Sequence, residues 1–182
     1  MNHLLSSRAF LLILIGFTLT SAACSRKGPS YEETLKSIEQ IEVIIQQADR
    51  DGLPETVKMG SGTLDSLYTV YLSVWPDSSY APLFMFNQAN IRAQYLQDYE
   101  SCIALLDSLT LRYPESEYVE RARFLKGYTL SNQMKDTTRA RVAYEEFLRL
   151  HPNSDLVPSV EFEIRTMGMS PDQIELLFQE GN

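Results

Sequence analysis

Apolar residues in the middle of this chain fall at helical spacing. Leu64, Leu67, Tyr68, Tyr71 and Trp75 occupy positions i, i+3, i+4, i+7 and i+11, the stripe that one face of an α-helix presents. Cys102, Leu105, Leu106 and Leu109 repeat the stripe, and Ala140, Ala143, Tyr144 and Phe147 repeat it again. Each run meets a proline: Trp75-Pro76-Asp77-Ser78, Tyr113-Pro114-Glu115-Ser116 and His151-Pro152-Asn153-Ser154. The three prolines are 38 residues apart, and the same step carries Phe86 to Phe124 to Phe162 and Ala89 to Gly127. An interval held at this many positions is an internal repeat, and at this length it describes a stacked array of helix pairs.

The punctuation fits helix–turn–helix. Proline lacks a backbone N–H and disfavours helix in the residue before it, so each stripe ends there. Ser78, Ser116 and Ser154 are placed to accept from the free N–H groups of the helix that follows. Pro82 and Pro158 fall in the first turn of that helix, where N–H groups have no intrahelical partner. Turns within the pairs are expected near Gln97-Asp98 and Lys135-Asp136. Upstream, Ser30-Tyr31-Glu32-Glu33 is a capping-box start, and a helix over Tyr31 to Arg50 would bury Leu35, Ile38, Ile41, Ile45 and Ala48. This helix supplies the first member of a divergent first pair. Gly52, Pro54, Gly60 and Gly62 mark Asp51 to Gly62 as a loop. Downstream, Ser170-Pro171-Asp172-Gln173 opens a last helix whose side Ile174, Leu177 and Phe178 would cap the array.

At these residues the chain resembles the tetratricopeptide family, whose period is about 34 residues. The observed period is about one helical turn longer. It is most similar to the variant found in Gram-negative envelope proteins, among them the accessory lipoprotein of the outer-membrane β-barrel assembly machine and the periplasmic coordinator associated with the Tol–Pal system. That variant runs Ala-x-x-x-Phe and ends in Tyr-Pro-x-Ser. Here Cys102-x-x-x-Leu106 precedes Tyr113-Pro114-Glu115-Ser116, and Ala140-x-x-x-Tyr144 precedes His151-Pro152-Asn153-Ser154. Arg165 departs from the pattern, where Ala89 and Gly127 hold the small position. The resemblance covers roughly Thr63 to Thr166. It implies an all-α fold, a right-handed α-solenoid of stacked antiparallel helix pairs, that binds partners along a groove lined by the first helices. Counted from Ala89 and Gly127, that groove would take Asn90 and Gln94 from one unit and Arg121, Tyr128 and Asn132 from the next.

The N-terminus reads as a targeting segment. Arg8 precedes an apolar run from Ala9 to Leu19, and Ser21, Ala22 and Ala23 lead to Cys24. The run is too short to span a bilayer, which takes about 20 residues. Ser21-Ala22-Ala23-Cys24 resembles a bacterial lipobox, with Ser21 where Leu, Val or Ile is usual. The resemblance divides the chain into a signal peptide (1–23), a lipidated tether (24–30) beginning at Cys24, and the repeat domain (31–182). Ser21-x-Ala23 also suits ordinary signal peptidase, which would give a soluble periplasmic protein. Ser25 after the cysteine resembles outer-membrane sorting, and the tether has no acidic run of the kind linked to surface export, so the periplasmic face is expected.

Length and composition agree with one domain. The chain has 182 residues, 44% hydrophobic. Removal of Arg8 with the leader leaves 15 basic against 24 acidic residues, a net charge of −9. That argues against nucleic acid, whose affinity rests on basic contacts to phosphate. The acids look dispersed over helix faces. Catalytic chemistry finds no foothold. His151 stands where Trp75 and Tyr113 stand, and Cys102 stands where Leu64 and Ala140 stand, so a helix-end residue and a small core residue are expected. No zinc-ligand spacing or nucleophile elbow is present. Lys58 to Thr63 lacks the Walker spacing and is expected to be a loop. Asp49-x-Asp51-Gly52 lacks the glycine placement and distal Glu of a calcium loop. No cofactor is expected.

Two function classes follow. The first is a membrane-anchored periplasmic adaptor that binds another envelope protein or peptide, in outer-membrane protein assembly or envelope maintenance. The second is a solute-binding or enzymatic envelope lipoprotein with a small-molecule pocket.

Overall fold

The computed structural model describes residues 28–180, without the side chains of Phe178 and Glu180. The proposed leader and the lipidation position Cys24 lie outside the described residues. Eight α-helices follow in order: α1 (Tyr31–Arg50), α2 (Pro54–Val74), α3 (Ala81–Gln94), α4 (Tyr99–Arg112), α5 (Tyr118–Tyr128), α6 (Thr137–Leu150), α7 (Val157–Thr166) and α8 (Pro171–Glu180). A π-turn, Thr129–Gln133, prolongs α5. The chain is an all-α helical-repeat solenoid.

The repeat positions recur in space. Tyr68, Leu106 and Tyr144 are buried at equivalent sites on α2, α4 and α6, as are Tyr71, Leu109 and Phe147. The residue before each repeat proline adopts one conformation: Trp75 (φ −127°, ψ 57°), Tyr113 (−130°, 59°) and His151 (−128°, 55°). Each donates its N–H to the carbonyl four residues earlier, on Tyr71, Leu109 or Phe147. This is the non-helical conformation that a following proline imposes. The other turn repeats as well. Leu96 N–H donates to Ile91 O and Met134 N–H to Thr129 O, five residues back in both cases. Gln97 (φ 55°) and Lys135 (φ 57°) then take the left-handed conformation. Asp98 and Asp136 cap the next helices, accepting from Ser101 N–H (3.3 Å) and Arg139 N–H (3.0 Å).

Three expectations need correction, and two repeated aromatic positions are packed unequally. The segment from Asp51 to Gly62 is not a loop, because α2 begins at Pro54 and takes in both Gly60 and Gly62. Gly60 is there for close packing: a Cβ on it would stand 2.6 Å from Ile45 Cγ1 of α1. The repeat serines divide. Ser116 Oγ and Ser154 Oγ accept from Tyr118 N–H (3.3 Å) and Leu156 N–H (3.2 Å), whereas Ser78 Oγ accepts from the Tyr71 hydroxyl at 2.8 Å. Leu109 and Phe147 have no hydroxyl to compete in that way. Phe124 is only half-buried, lying against Tyr144 and Tyr128, while Phe147 is fully buried. Finally, α8 does not close the array with its described apolar side chains. Leu176 and Leu177 are exposed and Ile174 is half-buried. Met167 and Ile164 cover the last core cluster instead.

Candidate partner-binding surface

The surface of interest is built by the odd-numbered helices, which lie side by side. Leu35 and Ile38 of α1 share a groove with Leu83, Phe84 and Asn87 of α3. Phe86 of α3 stacks on Tyr118 of α5, with ring centroids 5.7 Å apart. Asn132, in the π-turn after α5, donates from Nδ2 to Glu163 Oε2 of α7 at 2.9 Å. Ion pairs tie α3 and α5 to the layer beneath. Arg92 of α3 binds Asp65 of α2 through two nitrogens, at 2.7 and 3.1 Å, and Lys126 of α5 meets Asp107 of α4 at 2.7 Å.

The proposed groove residues fall in register. Asn90 and Tyr128 are equivalent by the repeat step, as are Gln94 and Asn132. Arg121 corresponds to Leu83, which lines the α1–α3 groove. Leu83, Asn87, Asn90 and Gln94 therefore form one stripe along α3, at i, i+4, i+7 and i+11. The matching stripe beyond it is Arg121, Leu125, Tyr128 and Asn132. The five residues do not share one state. Gln94 and Arg121 are exposed, and Tyr128 is 38% exposed with its ring stacked on Phe124. Asn90 is half-buried and donates to Phe86 O of its own helix at 3.1 Å, and Asn132 is engaged by Glu163. Tyr128, Gln94 and Arg121 are thus the ones left facing outward. The count from Ala89 and Gly127 missed Leu83, Asn87 and the contribution of α1. One step back from Arg121 reaches Leu83 directly, whereas α1 has no repeat proline to align it.

A second surface lies between α4 and α6, over α5. Two neighbouring cavities of about 250 and 300 Å³ are edged by Leu111 and Val142, which are 82% and 63% exposed. Their rims pair opposite charges, Lys126 with Asp107 and Arg123 with Glu146 at 3.4 Å.

The candidate nucleophiles are spoken for. Cys102 is buried, with Sγ 3.9 Å from Thr129 Oγ1, and burial pushes its thiol pKa up to about 11. His151 packs at a tilt against Phe147 and places Nδ1 3.5 Å from Glu120 Oε1, while Ser154 Oγ donates to the other Glu120 oxygen at 2.6 Å. These contacts lock the last repeat turn. Burial, and then the Glu42 carboxylate that accepts from its hydroxyl at 2.6 Å, push the Tyr68 pKa well up. Among the described residues no group of His, Cys, Asp and Glu side chains is placed to hold a metal ion, and no helix is long and apolar enough to cross a membrane.

Two segments, residues 84–116 and 121–154, match the tetratricopeptide repeat family. They coincide with the α3–α4 and α5–α6 pairs and end on Ser116 and Ser154. No match was found among curated proteins. Two helix pairs of this helical-repeat chain thus match tetratricopeptide units, which in general mediate protein–protein interaction.

Proposed function

We propose that this protein is a lipid-anchored adaptor of the bacterial envelope that binds another envelope protein along the surface of α1, α3, α5 and α7, and that it is not an enzyme. The observation that carries the reading is the shared stripe. Matching stripes on the neighbouring helices α3 and α5 turn Gln94, on the first, and Arg121 and Tyr128, on the second, outward. Tyr and Arg are residue types enriched at binding hot spots. Photo-crosslinkers placed at Gln94, Arg121 and Tyr128, and at Leu111 and Val142 on the opposite surface, test it in intact cells. Capture of one partner from the first set supports the adaptor surface. Capture confined to Leu111 and Val142 moves the interface to the α4–α6 side. The anchor is tested separately. Cys24→Ser should release the protein from the membrane fraction and abolish palmitate labelling, and membrane retention without label removes the lipoprotein reading. Outer-membrane sorting with a periplasmic orientation rests on Ser25 and the non-acidic tether.

A further inference from the structure

Charge is divided unevenly along the array. Residues 28–111 carry 12 acidic and 4 basic side chains, a net charge of −8, whereas residues 112–167 carry 9 of each. The acids are therefore regional, not evenly dispersed, and the groove between α1 and α3 sits wholly within the acidic part. Its volume is about 800 Å³, larger than either cavity of the α4–α6 surface. The floor is apolar: Leu35 of α1 faces Leu83 and Phe84 of α3, and the exposed Tyr80 lies flat on Phe84, centroids 5.6 Å apart and planes 13° apart. Among the described residues the rim carries Glu32, Glu39 and Glu42 against one cation, Lys36. Glu42 is held in place, because Tyr68 donates to its Oε1 at 2.6 Å.

We propose that this groove binds a basic, leucine-containing segment of the partner protein, with an apolar side chain on Leu35, Leu83 and Tyr80 and a lysine or arginine on Glu39 and Glu42. The assignment rests on the adaptor reading and specifies the partner's chemistry at one end of the surface. Charge complementarity selects the occupant. An acidic segment would meet three carboxylates, and a purely apolar one would leave the rim unpaired in a region of strong negative potential. The apolar floor adds a requirement that diffuse attraction does not have, since a cation without an apolar neighbour would leave Leu35, Leu83 and Phe84 uncovered.

Fluorescein-labelled leucine–lysine, serine–lysine and leucine–glutamate peptides of equal length, titrated by anisotropy against the repeat domain, test this. The leucine–lysine peptide should bind saturably, at least about tenfold tighter than the serine–lysine peptide, with no saturable binding of the glutamate peptide. Glu39→Arg, an exposed position, should weaken it by about tenfold or more. Glu145→Arg makes the same charge change on α6 and should alter affinity by less than about twofold. Equal weakening by the two variants would mean diffuse attraction and overturn the proposal. So would equal binding of the serine–lysine peptide, or a self-association by sedimentation that Glu39→Arg abolishes, which would assign the groove to a second copy. Crosslinking of a partner at Arg121 and Tyr128 that persists undiminished in Glu39→Arg would also remove this proposal while leaving the adaptor reading intact.

Discussion

Individual residues at the helix crossings do opposite things with the same chemistry. Gly127 lies under the Tyr144 ring, and a Cβ there would stand 2.6 Å from Cδ1 and closer still to Cε1. Gly62, also helical, has nothing within 4 Å of its Cβ direction. Gly62→Ala should therefore stabilise by about 0.5–1 kcal/mol, the helix-propensity gain of alanine over glycine. Gly127→Ala should destabilise by about 1–3 kcal/mol from overpacking, and urea unfolding midpoints read the two signs directly. Cys102 makes a pH prediction. Its thiol is raised to about 11 by burial, against about 8.5 in an unfolded chain. The folded state holds the proton more tightly, so the stability this provides is full below about pH 8.5 and is lost as pH rises towards 11. Cys102→Ala, the residue that the next repeat carries as Ala140, should flatten the stability curve over that window. In a Cys24→Ser background, Cys102 should resist iodoacetamide at pH 8 until the chain is unfolded.

Helix by helix, the array is held by the stripe that faces the odd-numbered helices. Phe147 is fully buried between α6 and its neighbours, whereas Phe124 shares its ring with the partly exposed Tyr128. Phe147→Ala should cost about 3–5 kcal/mol, the range for a buried aromatic truncation, and Phe124→Ala distinctly less. Equal losses in denaturant unfolding would show that the two positions are buried alike. The turns explain why the elements keep their length. α2, α4 and α6 end where the proline forces the preceding residue out of helical conformation, and α3 and the prolonged α5 end at a left-handed Gln97 or Lys135 followed by a capping aspartate. The turns of the α3–α4 and α5–α6 pairs are thus fixed locally.

Taken as one body, the molecule has a continuous core. Residues from α1 to α5 form a single cluster running from Ile38 to Ala122, and smaller clusters continue it through Ile103 and Leu130 to Phe147 and Val160. No pair seals its own apolar face. Tyr68 and Tyr71 of α2 pack on Phe84 of α3, across two pairs, and Leu106 and Leu109 of α4 complete the same cluster. A fragment ending after Leu96 would leave that side open to water. It should show far less helix by circular dichroism than its share of the intact domain, since units of such arrays draw their stability from neighbours. A fragment with full native ellipticity and a cooperative melt would contradict this. The same continuity bears on binding. The acidic stretch 28–111 and the charge-balanced stretch 112–167 present successive stripes, so a partner spanning both would meet an acidic groove first and Arg121 and Tyr128 beyond it.

The sequence by itself determined the repeat, its register and its turns. Pro76, Pro114 and Pro152, with the stripes before them, act on the residues within a few positions of themselves, and such local rules survive into any fold. The equivalence of Tyr68, Leu106 and Tyr144 was legible for the same reason, and so was the line that joins Asn90 to Tyr128 and Gln94 to Asn132. What the tertiary structure decided depends on neighbours distant along the chain. Gly60 looks like a loop residue until Ile45 is placed over it. Asn132 looks like a free groove residue until Glu163 takes its amide. Whether Ser78 caps a helix depends on a hydroxyl at Tyr71. The groove between α1 and α3 was hidden because α1 lacks the proline that aligns the other units, so only the packing of Leu35 opposite Leu83 reveals that a wall exists there.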